Sequence, residues 1–150
     1  MPKYALDTQL FIEAFRDPRA NDALVRFHRA FAPSEYLNAV VAHELRCGTR
    51  TAGAARALER HVLDPFRRRQ RIFAPSVQAW DRAAEVLARL ALDEGLDLSA
   101  MKGSFRNDVL IAASCREHGI VVVTRNERDF TRIRRHLDFE FVAPWPGAAT

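Results

Sequence analysis

Short apolar runs alternate along this chain with longer stretches in which apolar residues recur every three or four positions. The first kind suits strands and the second suits helices with one buried face. The pattern predicts a strand over 4–7, then helices over 9–15 and 22–31 with Pro18 as the break between them. A second strand is expected over 35–38, helices over 40–49 and 54–62, and a short strand over 71–74 before Pro75. Ser76 then caps a long amphipathic helix that sets Trp80, Ala83, Ala84, Leu87, Leu90 and Ala91 on one face and stops at Gly95. Residues 98–103 read as a loop, and Ser104 is the expected N-cap of a helix that runs to His118 and ends at Gly119. Ile120-Val121-Val122-Val123 is β-branched throughout, the mark of a strand covered on both faces. A short basic helix over 127–136 and a last strand over 139–142 follow, and Pro144-Trp145-Pro146 opens a tail.

Strands separated by helices imply βαβ units and a mostly parallel sheet, an α/β fold. The expected organisation is one domain over 1–143 and a tail over 144–150. In such sheets ligands bind beyond the carboxyl ends of the strands. Asp7 lies at the end of the first predicted strand, and Thr124 to Asp129 follow the Val-rich one, so the sheet rule and the acids point to one edge.

Four acids stand out there: Asp7, Glu44, Asp108 and Asp129. Each has an ordinary explanation alone. Asp7 could cap the helix after Thr8, Asp108 could favour the dipole of its own helix, Glu44 could be a solvated helix residue, and Asp129 could pair with Arg125, Arg128 or Arg132. Together they raise a different question, because converging carboxylates repel. At an effective dielectric near 20, two charges about 4 Å apart cost roughly 4 kcal/mol. A hard divalent cation, which prefers oxygen ligands, offsets that cost.

Composition narrows the classes. Apolar content of 48% and charged content of 28% are ordinary for a folded domain and argue against disorder. The apolar runs are too short for a membrane span, and Met1-Pro2-Lys3 leads straight into a strand pattern rather than a signal peptide. Cys47 and Cys115 form no CxxC pair, which favours a reducing, cytoplasmic setting. Net charge is +4; setting four of the 19 acids aside leaves 15 against 23 bases, a surplus of +8. A basic shell around a local acidic site suits a polyanionic substrate. The main basic patches are Arg67, Arg68, Arg69 and Arg71, and Arg125, Arg128, Arg132, Arg134 and Arg135. The second stands beside Asn126 and Asp129. Either is a solvated face or a set of phosphate contacts.

Other chemistries lack their residues. His43-Glu44-Leu45-Arg46-Cys47 resembles HExxH but has Cys in place of the second imidazole. Asp7-Thr8-Gln9 lacks the second aspartate of a DxD phosphohydrolase, which disfavours an α/β phosphatase. No GxGxxG or P-loop occurs, neither cysteine has a base partner, and Asp93, Glu94 and Asp97 read as a solvated helix end.

Four strings carry a family likeness. They are Tyr4-Ala5-Leu6-Asp7-Thr8, Ala42-His43-Glu44-Leu45-Arg46-Cys47-Gly48, Asn107-Asp108-Val109-Leu110-Ile111-Ala112-Ala113, and Thr124-Arg125-Asn126-Glu127-Arg128-Asp129-Phe130. In this order and spacing the chain resembles the PIN-domain nucleases, and within them the VapC-type toxins of toxin–antitoxin pairs. Gln9 departs from the Asn or Ser that family members usually carry after the Asp-Thr pair.

The resemblance implies a three-layer α/β/α fold and Mg²⁺- or Mn²⁺-dependent hydrolysis of RNA. It implies Asp7 and Asp108 as primary metal ligands, with Glu44 a ligand through water or the group that orients the nucleophile. Asp129, with Thr124 and Asn126, would complete the shell, and Thr8 would support it. Arg125, Arg128, Arg67 and Arg68 would meet RNA. The resemblance also implies a homodimer and a cognate antitoxin, which commonly inserts a segment into the acidic cleft. Two alternatives stand beside the toxin: a housekeeping PIN nuclease of RNA processing without an antitoxin, and a non-catalytic RNA-binding module.

Overall fold

The computed structural model describes residues 1–147. The last three residues of the tail expected over 144–150 lie outside the described residues. Five strands, β1 (Lys3–Leu6), β2 (Glu35–Asn38), β3 (Ile72–Phe73), β4 (Ile120–Val123) and β5 (Phe141–Val142), pair in parallel in the order β3-β2-β1-β4-β5. Between them run α1 (Thr8–Arg16), α2 (Pro18–Phe31), α3 (Ala39–Cys47), α4 (Ala52–Leu58), α5 (Asp64–Arg68), α6 (Val77–Glu94), α7 (Gly103–His118) and α8 (Glu127–Arg134). The helices cover both faces of the sheet and make a three-layer α/β/α architecture. All four residues of β4 are buried, as its β-branched run requires.

The strand order positions the site. From β1 the chain winds outward through β2 to β3, then returns to the other side of β1 for β4 and β5. The direction reverses between β1 and β4, and a crevice opens at their carboxyl ends. Leu6 and Val123 are register partners there, so Asp7 and Thr124 emerge side by side.

Several local expectations shift. Pro18 is the first residue of α2 rather than a gap before it, with the Asp17 carboxylate accepting from Arg19 N–H at 2.9 Å. A first-turn proline loses only an N–H that the helix would leave unpaired. The helix expected over 54–62 begins at Ala52 and passes through a π turn, Glu59–Leu63, into α5. The ladder widens just before Pro65, which has no N–H to give. α6 keeps its predicted cap and stop at Ser76 and Gly95, but its buried stripe is Ala79, Ala83, Val86 and Leu90, and Trp80 is 58% exposed. α6 packs against α7, and the small Ala79 and Ala83 are among the residues it buries. Ser104 sits inside α7 instead of capping it; Lys102, which has no side-chain oxygen to offer, takes the N-cap position. The last strand is shorter than 139–142 and begins at Phe141; Phe139 precedes it, buried against Phe130. Trp145, expected in the tail, packs on Phe27 with ring centroids 5.4 Å apart.

Candidate active site

Asp7 leaves β1 with its N–H bonded to the Val123 carbonyl at 2.9 Å and caps α1. Its Oδ1 accepts from Thr8 N–H and its Oδ2 from the Thr124 hydroxyl, each at 2.8 Å. The Thr124 oxygen accepts from Asn126 N–H at 2.9 Å, which folds the turn after β4 back toward the crevice. Asn126 then works at three points. Its Oδ1 accepts from Asp129 N–H at 3.3 Å and caps α8, while its Nδ2 donates to Asp129 Oδ2 at 3.1 Å and to Asp108 Oδ2 at 3.5 Å. On the other flank the Thr8 hydroxyl donates to Glu44 Oε1 at 2.7 Å, reaching from α1 to α3. The structure thus brings all four sequence-flagged acids, with Thr8, Thr124 and Asn126, into one connected set of hydrogen bonds.

Burial differs across the set. Asp7 and Asp108 are buried, whereas Glu44 and Asp129 are partly open. Burial pushes the Asp108 carboxyl up to about 9, and the negative charges of Asp7, Glu44 and Asp129 add to the rise. Burial also raises Asp7; the bonds from Thr124 and Thr8 oppose that, and Glu44 and Glu13 reinforce it. Arg132 reaches the cluster only at its rim, with Nη1 3.7 Å from Asp129 Oδ1. The centre therefore holds more negative potential than the protein itself compensates.

Among the described residues no three His, Cys, Asp or Glu side chains are drawn in tightly enough to hold a metal by themselves. The donors at the crevice are nevertheless all oxygen, and their mutual repulsion reaches Asp108. That set fits a small hard cation that keeps several of its own waters, as Mg²⁺ does, better than one that needs a complete protein cage.

The basic residues divide. Arg67 pairs with Asp64 and Glu59, and Arg125 Nε donates to Glu13 at 3.0 Å, so two of the four expected RNA contacts already have acidic partners. Arg68 and Arg128 are exposed. Arg132 and Arg135 both meet Glu94, and the acidic helix end that reads as solvated in the sequence is an anchor for α8. Cys115 is buried, which pushes its thiol up to about 12 and leaves it no nucleophilic role at neutral pH.

Sequence reasoning missed three features. Asn38, at the end of β2 where it caps α3, forms a buried bond with Ser114 on α7. Asn38 carries a legible signal, an Asn between a strand and a helix, but its partner is 76 residues away. Beside Glu44 a groove of about 950 Å³ runs between α1 and α2 on one side and α3 to α5 on the other, with Phe11, Leu24, Leu45, Leu58 and Phe66 among its walls. At its base His28 Nδ1 meets Glu35 Oε2 at 2.5 Å, and Glu35 Oε1 has no partner among the described residues.

Fold, crevice and acids together define a class, and the comparisons agree. The family model described as PIN domain matches residues 4–136, and the chain belongs to that family. Among solved structures, FitAcB from Neisseria gonorrhoeae is similar at 23% identity and a TM-score of 0.68, covering 95% of this chain and 99% of that one. DNA-bound VapBC from Salmonella typhimurium is similar at 22% identity and a TM-score of 0.70, with 95% and 98% covered. A toxin–antitoxin complex from Klebsiella pneumoniae is similar at 22% identity and a TM-score of 0.62, with the same coverage. At these identities the likeness speaks to the fold. No curated protein matches. Among the described residues no helix is long and apolar enough to cross a membrane.

Proposed function

We propose that this chain is a Mg²⁺-dependent endoribonuclease, with Mn²⁺ able to substitute, and the toxin of a type II toxin–antitoxin pair. The observation that carries the reading is the single hydrogen-bonded set joining Asp7, Glu44, Asp108 and Asp129 at the switch point of a parallel sheet. Asp7 and Asp108 would hold the cation. Bound there, Mg²⁺ would supply Lewis-acid polarisation of a phosphoryl oxygen and lower the pKa of a coordinated water. Thr8 and Thr124 fix the two carboxylates they touch, so Glu44 and Asp7 need little rearrangement when RNA arrives. Glu44, partly open, is placed to orient the attacking water or take its proton. Asn126 keeps Asp129 against Asp108, and Arg128 supplies exposed positive charge on the same helix as Asp129.

The toxin assignment draws on the FitAcB, VapBC and Klebsiella complexes, whose folds this chain shares. The largely apolar groove that Glu44 helps to line offers an antitoxin segment a place beside the acidic crevice. The reading includes a homodimer in a reducing, cytoplasmic setting, which sedimentation and cell fractionation would test.

The decisive experiment combines cleavage and growth. Purified wild-type protein should cut cellular RNA with Mg²⁺ and stop when the metal is chelated. Asp7→Asn and Asp108→Asn should each reduce cleavage by at least about 100-fold while circular dichroism remains native. Undiminished cleavage by either variant would sink the assignment. Growth arrest on induction, relieved by the neighbouring gene product, separates the toxin from a housekeeping nuclease.

A further inference from the structure

α7 is buried over residues 108–115, around more than two full turns. A helix buried on all sides has no amphipathic stripe to mark which face turns inward, so the few buried polar groups it carries bear on how it is placed. One polar contact in that core is directional. Asn38 is fully buried at the end of β2, where its Oδ1 accepts from Val40 N–H at 3.0 Å and caps α3. Its Nδ2 donates to Ser114 Oγ on α7 at 2.7 Å, and the Ser114 hydroxyl donates on to the Leu110 carbonyl at 2.8 Å. Ser114 is fully buried as well. The same Nδ2 lies 3.9 Å from Cys115 Sγ, a weaker acceptor on the same helix. A buried amide and hydroxyl are costly unless paired, so this geometry favours the placement of the two helices that keeps the Ser114 bond and penalises departures from it.

The two helices it ties are those that carry Glu44 and Asp108. We propose that Asn38 and Ser114 are positioning residues that set α3 against α7 and thereby hold Glu44 and Asp108 at the spacing the cation requires. Among the described residues neither side chain hydrogen-bonds to a crevice acid; both act through the helices they join. The proposal rests on the nuclease reading above, since it concerns the same metal site.

The test uses the full chain, Mn²⁺ as probe and three variants. Ser114→Ala removes the oxygen acceptor, leaves only the weak Cys115 Sγ contact and spares the α3 cap, Asn38→Ser keeps a capping oxygen and loses the donor, and Ile111→Val removes one buried methyl from α7 without touching the bond. Ser114→Ala and Asn38→Ser should each weaken Mn²⁺ affinity, read by water-proton relaxation, about tenfold. Combined, they should weaken it by about as much as either alone, because both break one contact. Cleavage should fall in kcat with KM for RNA within about twofold, and NOEs between α3 and α7 should move. Ile111→Val should lose stability and keep wild-type Mn²⁺ affinity. If the two polar variants behave as Ile111→Val does, less stable but with unchanged affinity and kcat, the bond is merely structural and the proposal is overturned. A wild-type protein that neither binds Mn²⁺ nor cuts RNA would overturn the nuclease reading itself, an outcome visible before any variant is compared.

Discussion

Burial and the charges of Asp7, Glu44 and Asp129 push the Asp108 carboxyl up to about 9, far above the 3.8 of an ordinary aspartate. In the unfolded chain Asp108 gives up its proton first, so the native state is progressively disfavoured as pH rises from about 4 toward 9. With chelator present, thermal stability should therefore fall across that window, and Asp108→Asn should flatten the fall. Added Mn²⁺ should raise stability most at the alkaline end, where the carboxylates are charged and free to bind it. A pH profile indifferent to Asp108→Asn would show that this side chain is not where the conflict lies. At the same scale, Asn126 was legible only as a motif member; the structure makes it the bridge between Asp108 and Asp129, with Arg132 a distant partner at 3.7 Å.

Elements follow local rules closely where a cap or a stop is chemical. Ser76 Oγ accepts from Ala79 N–H at 3.1 Å, and Ser76 also holds Glu117 on α7. Ser76→Ala should lower unfolding free energy by about 1 kcal/mol in a urea titration and leave RNA cleavage unchanged. Gly119 ends α7 at φ 65, as the sequence led us to expect. What the periodicity misplaced is the face of α6. Ala83 and Leu90 of the expected face are buried, but the stripe continues through Ala79 and Val86 instead of Trp80, which is exposed. The π turn is marked in the sequence only by Pro65 just beyond it, which the helical pattern over 54–62 does not reach.

For the whole molecule, the excess of basic residues is less available than the count suggests. Glu94 alone engages Arg132 and Arg135, Glu13 engages Arg125, and Glu59 engages Arg46 and Arg67. The exposed Arg128, on the helix that carries Asp129, is the better candidate for a phosphate contact. Arg128→Ala should weaken binding to single-stranded RNA and lower the slope of log affinity against log salt by about 0.7, the share of one phosphate. An unchanged slope would place the RNA path elsewhere.

The sequence by itself determined the alternation of strand and helix, the α/β class, the fully buried Val-rich strand and the places of the four acids, Asp7 at a strand end, Asp129 in the first turn of a helix, and Glu44 and Asp108 within helices. These follow from side-chain period, caps and breakers, which act over a few residues. Only the tertiary structure decided which acids share a hydrogen-bonded set, which arginines are already paired, and where the groove beside Glu44 runs. The bond from Thr124 to Asp7 spans 117 residues and exists because β4 returns to lie beside β1. No local pattern encodes that return; it is set by how the helices and sheet together bury the apolar surface of the whole chain.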